Sequence, residues 1–420
     1  VTDHHLPGET LPAADAIVNP NVAGDEFPSK HLAGVGVMFY LLGVLRGELR
    51  ERGWFNAQRP EPNLAQFLDL VALGTVADLV PLDHNNRILV SQGLERIRRG
   101  LTRPGLMELL RLGKRDYRYA SSSDLGFAVG PRLNAAGRLE DMSVGIRCLI
   151  AENGDEALEL AAELDRLNHQ RKEMQEQMQK EAMAQVRQVL ESLEKDKLPP
   201  ALCLFDESWH QGIVGLVASR VKDAVHRPVF AFAPESDESA VLKGSARSVK
   251  GLHIRDVLAW LDSQHPGLMD AFGGHAMAAG LTLKAVSLPL FHEHLPGAVA
   301  AIMDGAEFNA ETLTDGELAG CDLTTVTALE LERAGPWGQR FPEPVFDGIF
   351  EVIDRRVVGA AHLKMIVRSI DGSQEIDAIA FNRLPEDQPP SGAVRLLYRL
   401  GVNRWRGSES CQLMVEDIVV

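Results

Sequence analysis

The chain has 420 residues, of which 45% are hydrophobic and 24% are charged, and its formal net charge is −16. This composition is that of a globular protein. No apolar run approaches the ~18 residues that a membrane-spanning helix needs, so we expect no membrane association. A generic nucleic-acid coat would be basic overall, but an acidic chain can still be a nucleic-acid enzyme whose positive charge is confined to a groove.

The cysteines indicate the compartment. Four of them are scattered along the chain without Cys-x-x-Cys spacing: Cys148, Cys203, Cys321 and Cys411. This pattern favours a reducing cytoplasm and argues against a disulfide framework or a zinc ribbon. We therefore predict a cytoplasmic protein.

The first five residues, Val1-Thr2-Asp3-His4-His5, read as the tip of a strand that carries a carboxylate and two imidazoles. Side chains alternate across a regular strand, so one histidine is expected to bind a metal and the other to reach substrate or a neighbouring acceptor. The other reading is a pair of solvated histidines at a frayed terminus. Because the chain lacks an initiator Met and opens inside an apparent structural element, we expect further sequence upstream.

A second carboxylate stands out in the helical pattern from Leu64 to Ile97. The pattern breaks at Gly74–Leu82, where Asp78 sits among aliphatic residues shortly before Pro81. A carboxylate in apolar surroundings needs a cation or hydrogen bonds. Asp78 is therefore a candidate metal ligand, and a helix cap or turn aspartate is the alternative.

The segment Gly130–Leu139 combines two glycines, a proline and an alanine pair with Arg132, Asn134 and Arg138. Glycines allow close backbone approach, and arginines bind phosphate. We expect a loop that can hold phosphate, or else an irregular connection with solvated arginines.

An apolar seam at helical spacing follows, from about Asp155 to Leu193, with Glu, Gln, Lys and Arg on the other faces. A helix of this length would run to roughly 55–60 Å. We interpret it as a spacer joining two lobes, ended by Pro199-Pro200.

The next region predicts a second α/β unit. Strands are expected at Ala201–Phe205 and Pro228–Phe232, with a helix opening at Trp209–Gly215. Alternating strands and helices indicate a sheet covered by helices. Two glycine-containing segments within this unit, Gly244–Ser248 and Phe272–Gly280, carry polar groups able to bind phosphate.

The last ~90 residues predict five short strands, the signature of a small OB-like barrel. The expected strands are Phe346–Val357, His362–Ser369, Glu375–Asn382, Val394–Arg399 and Cys411–Ile418. Trp405 is flanked by Arg395, Arg399, Arg404 and Arg406, a mixture suited to stacking bases along a charged groove. An edge hairpin with solvated arginines is the alternative.

Taken together, these segments resemble the DHH phosphoesterase superfamily and, within it, the bacterial single-strand-specific exonucleases of the RecJ family. The resemblance covers essentially the whole chain. It rests on six segments in order: Val1–His5, Leu70–Asp78, Gly130–Arg138, Trp209–Gly212, Gly244–Arg247 and Phe272–Gly280.

The resemblance implies a role for each matching position. His4 and Asp78 would bind a divalent metal, His5 would face the scissile phosphate, and Asp3 would orient the histidines. The terminal phosphate and backbone would be held by five residues of the second α/β unit: Ser245, Arg247, Gly273, Gly274 and His275. Arg132, Asn134 and Arg138 would line the substrate path.

The implied fold class is α/β: a DHH-type α/β lobe whose N-terminal part is missing, a long spacer helix, a second α/β lobe of DHHA1 type and a C-terminal OB-like β-barrel. The corresponding domain boundaries are 1–150, 151–198, 199–305, a linker at 306–335, and 336–420. In the barrel, Arg404, Trp405 and Arg406 are the expected DNA contacts.

The implied activity is 5′→3′ digestion of single-stranded DNA to mononucleotides in repair and recombination. Mixed carboxylate and imidazole ligands suit Mn²⁺ or Mg²⁺, and two such ions would activate water and neutralise the phosphoryl charge. The family's remaining aspartate ligands precede Asp-His-His and are not in this chain, so we predict weak metal binding and little or no activity. A single-strand-binding protein and a helicase are the partners implied by the family.

Three other functions fit part of the sequence. A phosphodiesterase of short RNA or cyclic dinucleotides, or a pyrophosphatase, would share the motifs, but the barrel and long helix favour a polymer. A catalytically dead scaffold is opposed by His4, His5, Asp78 and His275, although the missing aspartates leave it open. A generic metal-binding α/β hydrolase explains neither the two lobes nor the barrel.

Overall fold

The computed structural model describes residues 1–8, 10–192, 199–236, 240–303, 312–359, 362–370, 374–381, 391–405 and 407–419, with side chains up to residue 187 in the second of these ranges. The chain divides into two compact units. The first contains Val1–Pro131, Leu149–Leu158 and Thr312–Val420, and the second contains Arg132–Cys148 and Glu159–Glu311.

The first unit begins with helices that enclose an apolar core. They are α1 (Gly34–Glu51), α2 (Leu68–Ala77), α3 (His84–Arg98), α4 (Pro104–Leu112) and the short α5 (Ser122–Asp124). The break between α2 and α3 has a local cause, because the Asp83 side chain accepts the backbone N–H of Asn86 and so caps α3. Leu32, Val37, Val71 and Leu89 form part of the core between the helices.

The segment Gly130–Leu139 is a helix, so the predicted loop is wrong. A π-helical turn at Leu125–Val129 leads directly into α6 (Gly130–Leu139). Pro131 follows the π-helical turn directly, so the helix continues through a residue that has no backbone N–H to donate. Burial of Leu133 and the alanine pair at 135 and 136 stabilises the helix.

The predicted long helix is present. After α7 (Ser143–Ile150), α8 runs from Gly154 to Ser192 over 39 residues. Its seam is buried at Leu164, Leu167, Met178, Ala182 and Val186. The last three of these side chains pack into the core of the second unit, so this part of α8 is an integral layer of that unit. Leu193, at the end of the predicted seam, lies outside the described residues.

The second unit is built on a mixed five-stranded sheet. Its strands are β1 (Leu202–Phe205), β2 (Val229–Pro234), β3 (Val241–Arg247), β4 (Ala271–Gly274) and β5 (Ala278–Lys284), in the order β1-β2-β3-β5-β4. Among the described strands of this sheet, only β1 and β2 pair in parallel. The helices are α9 (Val214–Val225), α10 (Ile254–Gln264) and α11 (Leu288–Met303).

Helices cover both faces of this sheet. Phe230 and Phe232 of β2 pack with residues of α10 and α11, including Phe291. Val229 and Ala231 of the same strand pack with α9 and α8 on the opposite face. The strand alternation therefore supplies two separate apolar layers.

The C-terminal strands close into a barrel, which confirms the predicted OB-like fold. The elements are α12 (Thr325–Ala334), β6 (Phe346–Val358), β7 (His362–Ser369), β8 (Glu375–Ala380), β9 (Gly392–Trp405) and β10 (Ser408–Val419), with the strand order β10-β8-β7-β6-β9. The β10–β9 pairing completes the closure. Inward residues such as Leu363, Met365, Leu396 and Tyr398 fill the interior.

Candidate functional site

The Asp-His-His segment is a tight turn and not the tip of a regular strand. Before it, only Thr2 forms an isolated bridge, with Val18. The Asp3 carboxylate then accepts the backbone N–H groups of His4 (2.7 Å) and His5 (3.1 Å), so neither amide can join a sheet ladder. The two imidazole centroids lie 4.2 Å apart, so the side chains do not alternate as they would along a strand.

Asp3 also fixes the orientation of His5. Its Oδ1 lies 2.8 Å from Nδ1 of His5. This side-chain hydrogen bond, supported by the two backbone N–H groups, lowers the pKa of Asp3 to about 2. An ionised carboxylate is only an acceptor, so at neutral pH Nδ1 of His5 carries a hydrogen and Nε2 is the atom available for chemistry.

His4 and Asp78 lie together in the first unit, although they are far apart in sequence. Nε2 of His4 is 3.2 Å from Oδ2 of Asp78, and their side chains are 17% and 43% exposed. Asp78 is also the C-cap of α2, where its backbone N–H bonds to Gly74. The chain turns at Leu79, whose φ is 56°, so the cap directs the carboxylate toward His4.

This pair fits two positions around a divalent ion. Ligands at about 2.0–2.1 Å in adjacent octahedral positions lie about 3 Å apart, close to the observed separation. No group of three or more metal-ligating side chains comes together within the described ranges. The Asp3 carboxylate is turned toward His5, so His4 and Asp78 are the two donors that these residues offer to one ion.

Ser245 and Arg247 lie together in the second unit. Both are on β3, and Nη1 of Arg247 donates to Oγ of Ser245 at 2.9 Å. They face Gly215 near the start of α9, where an added Cβ would lie 2.8 Å from Nη2 of Arg247 and 2.9 Å from Oγ of Ser245. A helix start, a hydroxyl and a guanidinium together favour an anion.

The pKa values of the arginines around Ser245 also favour a bound anion. Burial lowers the pKa of Arg247, and the positive charge of Arg138 lowers it further. Partial desolvation also lowers the pKa of Arg138, an exposed residue whose Nη1 donates to the Gly212 carbonyl at 3.0 Å. The pKa of Arg171 is lowered by burial and by the charges of Arg138 and Arg220. A bound phosphate would relieve this mutual repulsion.

Sequence reasoning did not assign roles to Gly215, Arg171 or Arg220. The usable signal was the spacing Gly212-x-x-Gly215 at the start of a helix, because glycines allow backbone to come close to a ligand. The arginines on α8 and α9 carried no sequence signal, because they resemble ordinary solvated helix residues.

The Gly273-Gly274-His275 segment comprises the last two residues of β4 and the first residue of the turn to β5. The backbone N–H of His275 donates to the Ala278 carbonyl at 2.8 Å, and the His275 side chain is exposed. Gly274 has a φ of 143°, and an added Cβ would lie 2.5 Å from the Ala278 carbonyl oxygen. The turn therefore requires glycine at 274.

The three polar residues of α6 have different surroundings. Arg132 is 8% exposed and its Nε donates to Oδ1 of Asp165 at 2.8 Å, so it is not displayed as expected for a loop. Asn134 is exposed. Arg138 contacts the glycine segment before α9.

The barrel arginines are largely engaged with carboxylates. Arg404 donates to Glu332 and Glu409 and lies over the Tyr119 ring, 4.2 Å from its centroid. Trp405 beside it is 65% exposed. Arg406, the third expected DNA contact, lies outside the described residues.

The amino-acid sequence is similar to those of known exonucleases. The single-stranded-DNA-specific exonuclease RecJ of Dickeya dadantii (strain 3937) is 53% identical over 422 residues, covering 100% of this chain and 72% of that protein. The chain belongs to the RecJ family. Three family models match in order: "DHH family, N-terminal domain" at 1–75, "DHHA1 domain" at 198–304 and "RecJ OB domain" at 314–417.

Solved RecJ structures are similar over nearly the whole chain. RecJ from Thermus thermophilus in complex with Mn²⁺ has a TM-score of 0.78 at 28% identity, covering 100% of this chain and 57% of that one. The same protein in complex with Mg²⁺ has a TM-score of 0.75 at 27% identity, covering 96% and 58%. This chain thus spans less than two thirds of these solved RecJ chains. No helix in its described part is both long and apolar enough to cross a bilayer.

Proposed function

We propose that this chain supplies metal-ligating and DNA-binding parts of a 5′→3′ exonuclease that degrades single-stranded DNA to mononucleotides. The observation that carries the proposal is the 3.2 Å approach of His4 Nε2 to Asp78 Oδ2 in a chain of the RecJ family. The metal bound in the two Thermus structures, Mn²⁺ or Mg²⁺, is the cofactor proposed here.

His4 and Asp78 would hold the ion. When bound, a divalent metal lowers the pKa of its water and neutralises charge on the phosphoryl oxygens. The His5 Nε2 would point at a phosphoryl oxygen and stabilise negative charge there if protonated. Asp3 would keep His5 in that orientation through its bond to Nδ1.

The second unit would hold the end of the strand. Ser245 and Arg247 would bind the terminal phosphate beside the start of α9, with Arg138 adding positive charge. Arg132, Asn134, His275 and the Gly273-Gly274 turn belong to the same proposed DNA-contacting set, although Arg132 is committed to Asp165. Arg404, Trp405 and Arg406 are the proposed barrel contacts.

His4 and Asp78 alone are too few to fix the pair of metal ions that the two-metal reaction uses, so this chain by itself should bind metal weakly and cleave slowly. The test is nuclease activity and Mn²⁺ binding of the 420-residue protein, with His4→Ala and Asp78→Asn as variants and the exposed Asp116→Asn as control. We expect faint, His4-dependent cleavage. Robust cleavage by the unaltered chain would refute the predicted weakness, and cleavage unaffected by either variant would refute the site.

Substrate class is tested on the same protein. A 5′-phosphorylated single strand should bind more tightly than its 5′-hydroxyl counterpart and than a dinucleotide, because the barrel offers contacts only to a longer strand. Equal affinity for the dinucleotide would favour the phosphodiesterase alternative.

A single-strand-binding protein and a helicase are proposed partners, on the strength of family membership. Copurification of each with the tagged full chain after nuclease treatment tests this. If either partner copurifies only while DNA is present, the proposed direct contact with that partner is wrong.

A further inference from the structure

The backbone behind the two histidines is held by side-chain amides from one short segment, Asn19-Pro20-Asn21. Nδ2 of Asn19 donates to the His5 carbonyl at 2.9 Å. Nδ2 of Asn21 donates to the His4 carbonyl at 2.7 Å. Because these carbonyls are fixed from behind, the imidazoles project from a constrained turn.

Asn21 is a cross-link, since its amide nitrogen has two hydrogens. The second contact is with the Lys30 carbonyl at 3.1 Å. Lys30 reinforces the same junction, because its Nζ donates to the Pro20 carbonyl at 2.7 Å. His4 is thereby attached to the chain at residue 30.

A second side-chain amide, that of Asn86, links His31 to Pro81, which lies three residues after Asp78. Nδ2 of Asn86 donates to the His31 carbonyl at 2.7 Å and to the Pro81 carbonyl at 2.9 Å. Asn86 is fully buried, and its Oδ1 has no hydrogen-bond partner among the described residues. Because buried polar groups are normally hydrogen-bonded, the burial of Asn86 is explained by the two bonds that its Nδ2 donates.

We propose that Asn21 and Asn86 are positioning residues that together set the separation of the His4 and Asp78 donor atoms. The contacts form a closed circuit: Asn21 joins His4 to Lys30, Asn86 joins His31 to Pro81, and the circuit closes where His4 meets Asp78. Each metal ligand is then located relative to the same short segment. The inference rests on the proposed metal role of His4 and Asp78.

The test uses the full chain with Asn21→Asp and Asn86→Asp. Aspartate keeps the size of the side chain but, when ionised, has no hydrogen to donate. Asn153→Asp is the matched control, because Asn153 is an exposed asparagine whose side-chain oxygen accepts the backbone N–H of Glu156 near the start of α8, a role that aspartate keeps. Unfolding curves are recorded first, so that all measurements use folded protein.

Hydrogen–deuterium exchange is the readout that needs no metal. Asn21→Asp should accelerate exchange in the peptide covering residues 1–8 and leave residues 100–112 unchanged. Asn86→Asp should accelerate exchange at residues 76–83. If Asn86→Asp does not fold, the Asn21→Asp result decides, and unchanged exchange at residues 1–8 overturns the proposal.

Mn²⁺ titration, followed by the loss of the free-ion paramagnetic resonance signal, is the second readout. Asn21→Asp and Asn86→Asp should each lower affinity roughly 10–100-fold, as for partners of metal ligands elsewhere, while Asn153→Asp matches the unaltered protein. Affinity unchanged in both variants contradicts the positioning role. Mn²⁺ binding that survives His4→Ala refutes instead the proposed metal site, and the exchange results still decide whether the amides position the turn.

Discussion

Gly338 lies so close to Leu82 that a Cβ on Gly338 would be 2.7 Å from Cδ1 of Leu82. The backbone N–H of Leu82 also donates to the Gln339 carbonyl at 2.7 Å, and Leu82 is 5% exposed. The connection from α12 to the barrel is therefore fastened to the loop that follows Asp78.

Gly338→Ala should destabilise this contact. Overpacking typically costs about 1–3 kcal/mol, and urea unfolding measures the loss. Gly43→Ala is the control, because an added Cβ there meets nothing within 4 Å. An unfolding midpoint equal to that of the unaltered protein would show that Leu82 and the α12–barrel connection can shift to admit the methyl group without loss of stability.

Gly215→Ala should weaken binding of a terminal phosphate. The new methyl would displace the Arg247 guanidinium and the Ser245 hydroxyl. Loss of one charge-assisted hydrogen bond of about 1.5 kcal/mol corresponds to roughly a tenfold weaker affinity. Fluorescence anisotropy with 5′-phosphorylated and 5′-hydroxyl strands measures this, with Gly297→Ala as control. A loss that is equal for the two strands would assign the pocket to something other than the end phosphate.

Gly274→Ala and Gly273→Ala should differ although they are neighbours. Gly274 has a left-handed φ of 143° and no room for Cβ, whereas a Cβ at Gly273 meets nothing within 4 Å. We expect a lower melting temperature for Gly274→Ala, by the energy of a strained residue, about 1–3 kcal/mol. Similar melting temperatures for the two variants would contradict this account of the turn.

Arg132→Met and Asn134→Ala separate a structural role from DNA contact on α6. Arg132 pairs with Asp165 at 2.8 Å. Breaking an exposed ion pair costs about 0–1 kcal/mol and breaking a buried one about 3–5 kcal/mol. Arg132→Met should lower the free energy of unfolding by an amount between these two values. Asn134 is exposed, so its loss should leave unfolding unchanged. If Arg132→Met reduces DNA affinity without changing stability, Arg132 contacts substrate after all.

The thiols should differ in reactivity and pH dependence. Burial raises the pKa of Cys203 to about 12 and that of Cys411 to about 11, from 9.0. The folded protein holds both groups as the neutral thiol to a higher pH than the unfolded chain does. This contribution to stability is fully present below pH 9.0 and is lost as the pH rises through the two folded-state pKa values. Labelling with a thiol reagent near neutral pH should modify exposed Cys321 first, and rapid labelling of half-buried Cys203 would contradict the raised pKa of its thiol.

The sequence predicted what depends on periodicity. The seam of α8 and the alternation in the barrel strands identified those elements, because burial of one face governs both patterns. The predicted strand ending at Arg399 was too short, since β9 continues to Trp405. The turn at Asp3–His5 was missed, since a carboxylate that captures adjacent amides leaves no periodic trace. The α6 helix was also missed, because packing of Leu133 outweighed the proline and glycines around it.

The placement of His4 near Asp78 followed from family motifs, whereas Asn21 and Asn86 could not be found in this way. Their partners are backbone carbonyls at 4, 30, 31 and 81. A carbonyl is the same in every residue, so a contact with one is invisible to any argument from residue types.

The two sheets differ in their exposure to self-association. Among the described strands the barrel is closed by the β10–β8 and β10–β9 pairs, which leaves no free edge for an incoming strand. The open sheet ends in β1 and β4, each only four residues long, a length that offers poor templates for intermolecular pairing. Fibril formation under mild denaturation should therefore start from segments released by unfolding, and the intact sheets should resist it.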